Sequence, residues 1–194
     1  LDRLKALSDE SKKTFEKIID LHNDLDNAFI EQFQRSLPFN EELIDRWERA
    51  KRLGFGKDSS IYNSSLVFGK VRVGKNCWIG PHTIIDGSGG LTIGDNCTIS
   101  AGVQIYSHDN VKQTLSSGKL PIERLPVSIG NNVYIGPNTI VSKGVKIGNF
   151  CVIGANSFLK SAISDNAIAM GQPAKVKGKV IFRDDKIDFE YWKQ

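Results

Sequence analysis

The sequence is poor in the residues that would identify it quickly. Three cysteines, three histidines and one methionine occur among 194 residues. Cys77, Cys97 and Cys151 are odd in number and form no close pair. That excludes a disulfide scaffold, argues for a reducing, cytoplasmic setting and fits no zinc knuckle. No run of about 18 apolar residues is present, so no segment reads as a membrane span. The chain opens at Leu1 rather than Met and shows no signal-peptide pattern. It also has no Lys/Arg-rich run and no aromatic ladder, so the usual footprint of a nucleic-acid binder is missing.

Charge is present but uneven. Residues 1–50 hold 8 basic and 12 acidic side chains, a net −4, and residues 51–194 hold 18 and 10, a net +8. The later part is therefore the one expected to meet anions, a phosphorylated cosubstrate among them. The first part reads as an α-helical extension, residues 1–57. Phe15, Ile18, His22, Leu25, Phe29 and Phe33 recur at steps of three or four and predict a helix over 8–36. Ser8 is its expected N-cap, with Asp9 and Glu10 in the first turn. His22 reads as a packing residue on that stripe. Pro38 ends the pattern. Asn40 is then expected to cap a second helix with Leu43, Ile44 and Trp47 on its buried face, stopped by Gly54 and Gly56.

From Ile61 the period changes to six. Ile61, Val67, Val73, Ile79 and Ile85 lead to Ile93, Ile99 and Ile105 after a two-residue insertion at "GSGG". Ile129, Ile135, Val141, Ile147, Ile153 and Leu159 follow, fourteen hexads in all. Six fits neither an α-helix nor simple strand alternation. It fits short strands with a corner in each hexad, where glycine supplies unusual backbone angles, and three hexads per triangular coil. About five coils result. The fifth position of each hexad is small or β-branched, and all three cysteines occupy that slot beside Ser65, Thr83, Val103 and Thr139. They read as buried fillers rather than nucleophiles. Such a stack needs caps at both ends, and the N-terminal helices and the tail from Asp165 are the candidates.

The pattern [LIV]-G-x-x-[small]-x followed by "AMGQPAKVKG" resembles the hexapeptide-repeat acyltransferases over about residues 58–180. "IYSHDN", "IDGSGGLTIGDN" and "IFRDDKIDFEYW" resemble most the branch of maltose, galactoside, xenobiotic and bacterial polysaccharide O-acetyltransferases. The resemblance implies a mainly β chain: a left-handed parallel β-helix over 58–164, with a loop protruding at about 107–125 and a C-terminal cap at 165–194. It implies a homotrimer with sites between subunits, acetyl-CoA as cosubstrate and no metal. It places the general base on His108, the cosubstrate on Gly136, Ala155, Lys160, Ser161 and Lys175, and adds Lys177 and Lys179 to the field around the phosphates.

The residues support a site at that loop independently. Ile105 and Ile129 are 24 positions apart, where a hexad step is six. One further side and a loop of about a dozen residues would fit between them, with His108 at the root. Histidine suits deprotonation of an attacking hydroxyl because its ordinary pKa of about 6.5 lies near working pH, and a glycine-rich corner can offer an N–H to the oxyanion. Ile85 and Ile105 are 20 apart, one 18-residue coil plus the insertion, so Asp86 should lie under Tyr106. Asp86 then either orients the imidazole, binds an acceptor hydroxyl or is a turn aspartate, and Tyr106 joins it as an acceptor-side residue. The sugar acetyltransferases carry Asn or Asp about five residues before this Asp, where Pro81 stands here beside His82.

A metal reading, as in the γ-class carbonic anhydrases of the same fold, needs three histidines where the repeats hold His82 and His108 alone. The expected activity is acetyl transfer to a saccharide hydroxyl. N-acetylation of an amino-sugar nucleotide, antibiotic acetylation and a non-enzymatic scaffold stay open beside it.

Overall fold

The computed structural model describes residues 4–184 and 186–192, so Asp185 of the tail lies outside the described residues. The chain forms two compact units, Leu1–Asp45 and Arg46–Gln194. In the first, helix α1 (Asp9–Phe33) starts at Ser8, whose hydroxyl accepts the Ser11 N–H, and stops at Gln34 in the left-handed conformation. His22 stacks on Phe39 at 5.1 Å and lies 3.5 Å from the buried Glu42 carboxylate. Helix α2 (Phe39–Leu43) begins one residue before Asn40, behind Pro38, and ends where Ile44 turns extended. Residues 39–52 therefore form no continuous helical face, and Leu43 and Trp47 are half exposed rather than buried.

The second unit opens with α3 (Arg46–Arg52), which seals the lower end of the stack. Ala50 and Phe55 join the core, and the Arg49 guanidinium donates to the carbonyls of Tyr62 and Ser65 in the bottom coil. Above it the hexads build a three-sided parallel β-helix. Ile61, Ile79, Ile99, Ile135, Ile153 and Ala169 stack on the first side. Val67, Ile85, Ile105, Val141 and Leu159 stack on the second. Val73, Ile93, Ile129, Ile147 and Ile163 stack on the third. Six rungs stand on the first side, one more than the hexads alone count, because Ala167–Gly171 adds a level in parallel register. The strands Ala174–Arg183 and Lys186–Tyr191 then fold back antiparallel and cover the upper edge. The isoleucines of the columns are essentially inaccessible, each contributing about 1.5–3 kcal/mol.

Two features of the hexad differ in cause from their sequence reading. The left-handed corner is not at the glycine after the aliphatic but two residues later, at Asn76, Asn96, Asn132, Asn138 and Asn156 and at His82 and Phe150. Asn tolerates that conformation through its short polar side chain. The glycines are needed for close stacking: a Cβ on Gly94 would lie 2.7 Å from the Gly130 carbonyl of the next coil. The fifth-slot residues do more than fill. Ser65 Oγ and Thr139 Oγ1 donate to the carbonyls of Gly80 and Gly154. Cys77 and Cys97 Sγ reach Gly94 and Gly130 in the same way at 3.1 Å. A thiol, a weak donor, thus substitutes for a hydroxyl in one repeated contact.

Candidate active site

The second side of the third coil leads straight into the excursion. Ile129 takes the third side of the same turn as Ile105, so no extra side intervenes and all the added residues go into the loop. The loop neck is a two-residue antiparallel ladder pairing His108 with Arg124 and Asp109 with Glu123. Helix α4 (Val111–Leu115) forms its outer part.

Asp86 ends the second-side rung directly beneath this neck, because Ile85 is in register with Ile105. It is 1% exposed. Its Oδ2 accepts the Ser107 N–H at 2.8 Å, the Ser107 hydroxyl at 3.1 Å and His108 Nδ1 at 2.7 Å, while Oδ1 accepts the Ser88 N–H at 2.9 Å. Burial works to raise the Asp86 pKa, but hydrogen bonds from Ser88, Ser107 and His108 outweigh it and hold the carboxyl well below its ordinary range. An ionised carboxylate only accepts hydrogen bonds, so Nδ1 is the donor and Nε2 the nitrogen that carries the lone pair. The arrangement suits general-base chemistry at Nε2, with a buried anion to stabilise the imidazolium.

His108, Tyr106, Asp109, Asn110, Ser142 and Lys143 line an open cavity of about 540 Å³. The Tyr106 hydroxyl is engaged with Gln104 at 2.7 Å. His82 holds a corner in the left-handed conformation, its N–H bonded to Ser64 Oγ. Among the described residues no group of three or more His, Cys, Asp or Glu is placed to hold a metal.

The residues matched to the cosubstrate do not line this cavity. Gly136 and Ala155 abut across adjacent coils at the corner between the first and second sides, where a Cβ on Gly136 would meet Ala155 N at 2.5 Å. The Gly136 N–H is committed to Ile153 O at 2.8 Å, which leaves its carbonyl. Lys160 and Ser161 follow the top rung of the second side, and Lys175 pairs with Met170 in the terminal hairpin. Lys160, Ser161 and Lys175 are exposed. Sequence reasoning missed Ser107 and Lys143. The stacking rule that put Asp86 beneath Tyr106 puts Ser142, and with it Lys143, one coil above, since Tyr106 N bonds Val141 O.

With this geometry, comparison with known proteins is decisive for the family. Residues 126–161 match the model described as bacterial transferase hexapeptide (six repeats), and residues 70–107 match the hexapeptide repeat of succinyl-transferase. The chain belongs to the hexapeptide-repeat transferases. Among these transferases it is 31% identical over 125 residues to the galactoside O-acetyltransferase of Escherichia coli K12, covering 63% of this chain and 61% of that one. It is 36% identical over 95 residues to WbbJ of the same strain, provisionally named a lipopolysaccharide biosynthesis O-acetyl transferase, covering 44% and 48%. The chain thus spans 61% and 48% of the length of these two curated relatives. In fold it is similar to a galactoside acetyltransferase solved in complex with coenzyme A, with a TM-score of 0.61 at 23% identity over 94% of this chain and 92% of that chain.

Proposed function

We propose that this protein is an acetyl-CoA-dependent O-acetyltransferase acting on a hydroxyl of a sugar or surface polysaccharide, with His108 as general base. The observation that carries the reading is the His108–Asp86 contact, made by a carboxylate sealed in the coil stack beneath the loop root. The acceptor hydroxyl gives its proton to Nε2 as its oxygen attacks the thioester carbonyl. The tetrahedral intermediate collapses, the C–S bond breaks, and the imidazolium returns the proton to the thiolate. Asp86 holds the ring and offsets its transient charge. Tyr106, on the acceptor side of the same cavity, contacts the incoming saccharide. The named sugar acetyltransferases among the relatives support this acceptor class.

Gly136, Ala155, Lys160, Ser161 and Lys175 would hold acetyl-CoA, the lysines as point charges on its phosphates. They lie away from the cavity of their own chain, Gly136 and Ala155 on another corner of the triangle. The working unit is therefore a homotrimer in which one copy's His108 faces a neighbour's cosubstrate corner. The outward residues of the second side, Leu66, Ile84, Ile140 and Phe158, give a largely apolar face for that packing. Buried, unpaired cysteines fit a cytoplasmic setting.

The test is thiol release from acetyl-CoA with a panel of sugars, amino-sugar nucleotides and antibiotics. Release should require a saccharide hydroxyl and should fall at least about 10²-fold in His108→Ala with acetyl-CoA affinity kept. Release with amine acceptors alone, or wild-type turnover in His108→Ala, would overturn the reading. Sedimentation at micromolar concentration should give the trimer, and a monomer would remove the shared site.

A further inference from the structure

Lys143 takes no part in the proton transfer above, yet its side chain is only 19% exposed and is turned onto the loop neck. The neck sets Asp109 directly across from Glu123. Two carboxylates at one ladder position repel. Lys143 Nζ lies between them, bonded to Asp109 Oδ2 and 2.9 Å from Glu123 Oε2. Lys112 takes the other oxygen of Glu123 at 2.6 Å. The hydrogen bonds to Asp109 and then Glu123 raise the Lys143 pKa, and the Lys143 contact lowers that of Asp109.

Lys143 does not belong to the loop. It comes from the corner of the coil above, where the Gly144 N–H also donates to Leu125 O at 3.2 Å, at the end of the loop. The neck is thus tied from below by Asp86 through Ser107, and from above by the corner holding Lys143 and Gly144. Asp109, the direct partner of Lys143, is the next residue after His108.

We infer that Lys143 is a positioning residue: it clamps both strands of the loop neck to the coil stack and thereby fixes the placement and electrostatic surroundings of His108. The inference rests on His108 acting as the base. The charged groups around His108 are Asp86 from the coil below, Asp109, Glu123 and Arg124 of the neck, Lys112 of α4 and Lys143 from the coil above. In Lys143→Met, Asp109 and Glu123 lose their shared cation while Asp86 keeps its bonds from Ser88 and Ser107. The surroundings become more negative, which favours the imidazolium. The neck also loosens, and misplacement of a reacting group by about 1 Å can cost on the order of 10²-fold.

The experiment compares the full-length wild type, Lys143→Met and Lys143→Arg by histidine NMR titration and by thiol release against pH. In Lys143→Met the His108 titration midpoint and the acid limb of the rate profile should both move up, because the neck loses a cation. Turnover should fall about 10- to 10²-fold at unchanged KM for acetyl-CoA. Lys143→Arg, which keeps the charge, should restore both. A lysine that only stabilised the fold would cost turnover and melting temperature without moving the midpoint, and an unmoved midpoint overturns the inference. If Lys143→Met does not fold, the double variant with Asp109→Asn removes the repulsion, keeps the summed charge of these neck groups at −1 and should fold with the wild-type midpoint; failure there also overturns it. Absence of thiol release in the wild type would refute the acetyl-transfer reading instead, and the NMR midpoints would still decide the role of Lys143.

Discussion

Replacing Asp86 by Asn changes one atom and tests the core of the site. The carboxylate offers two acceptor oxygens to four donors: three at Oδ2, from Ser107 N, Ser107 Oγ and His108 Nδ1, and one at Oδ1, from Ser88 N. An amide offers one. If its oxygen takes the Oδ2 place, its NH₂ faces the Ser88 N–H, and the surviving bonds lose their charge assistance, which roughly halves them. If it takes the other place, its NH₂ opposes Ser107 and presents a hydrogen to Nδ1, which drives the imidazole to the tautomer with the proton on Nε2. Either way the cost is about 2–3 kcal/mol. For a chain of this length that lowers Tm by roughly 5–10 °C. Thiol release should fall by about 10²- to 10⁴-fold, because the base is deprived of its counter-ion or its lone pair, while KM for acetyl-CoA stays put. The pH dependence has a definite sign. The folded-state pKa of Asp86 is lowered, so its stabilisation is complete above the unfolded value of about 3.9 and is lost as pH falls through the folded one. The Tm gap between wild type and variant should be full at pH 7 and narrow from about pH 4 downward. Wild-type turnover in Asp86→Asn, or a Tm gap that widens in acid, would refute the argument.

Gly89→Ala should cost about 1–3 kcal/mol or more and lower turnover, since its Cβ would lie 2.2 Å from Ser107 O and 3.0 Å from Leu125 N. Gly118→Ala, with no atom within 4 Å of its Cβ site and φ +84°, should cost only about 1 kcal/mol and leave turnover alone; equal losses in urea melts of the two would refute the neck geometry. Lys175→Glu should weaken acetyl-CoA binding in a calorimetric titration and Lys186→Glu much less, and unchanged affinity in the first would move the phosphates elsewhere.

The period of six made the columns legible, because register in a stacked coil is arithmetic. Ile85 under Ile105 and Asp86 at the loop root follow from an 18-residue coil and a two-residue insertion. The same arithmetic failed upward: a further side read into the excursion would set Ile135 above Ile105, whereas Ile105 and Ile129 take consecutive sides, which puts Ser142 above Tyr106 and brings Lys143 to the neck. What the period could not carry is direction. Nothing in a hexad tells that Lys143 turns onto the neck, that Ser107 bonds Asp86 twice over, or that Gly136 and His108 sit on different corners. Asn40 and Trp47 were misread for a different reason: an apolar spacing continued through Ile44, where the backbone turns extended and the helical face ends.

Two irregularities that look separate in the sequence are one object in the structure. The insertion at "GSGG" bulges the strand Ile84–Ile93, so that Gly69 pairs with Gly87 and Val71 with Leu91 while Lys70 alone faces the residues between. The bulge lies one coil below the loop. Its Gly89 N–H donates to Ser107 Oγ at 2.8 Å, and its backbone lies against Ser107 and Leu125, the two ends of the excursion. A regular hexad there would present a side chain where the neck must pass. The bulge therefore makes room for both ends of the loop, and Asp86, at its start and itself held by the Ser88 N–H, supplies the acceptor that fixes the root. A rigid stack can hold a loop through buried partners beneath it, and here those partners come from the insertion, the other break in the period between Ile61 and Leu159.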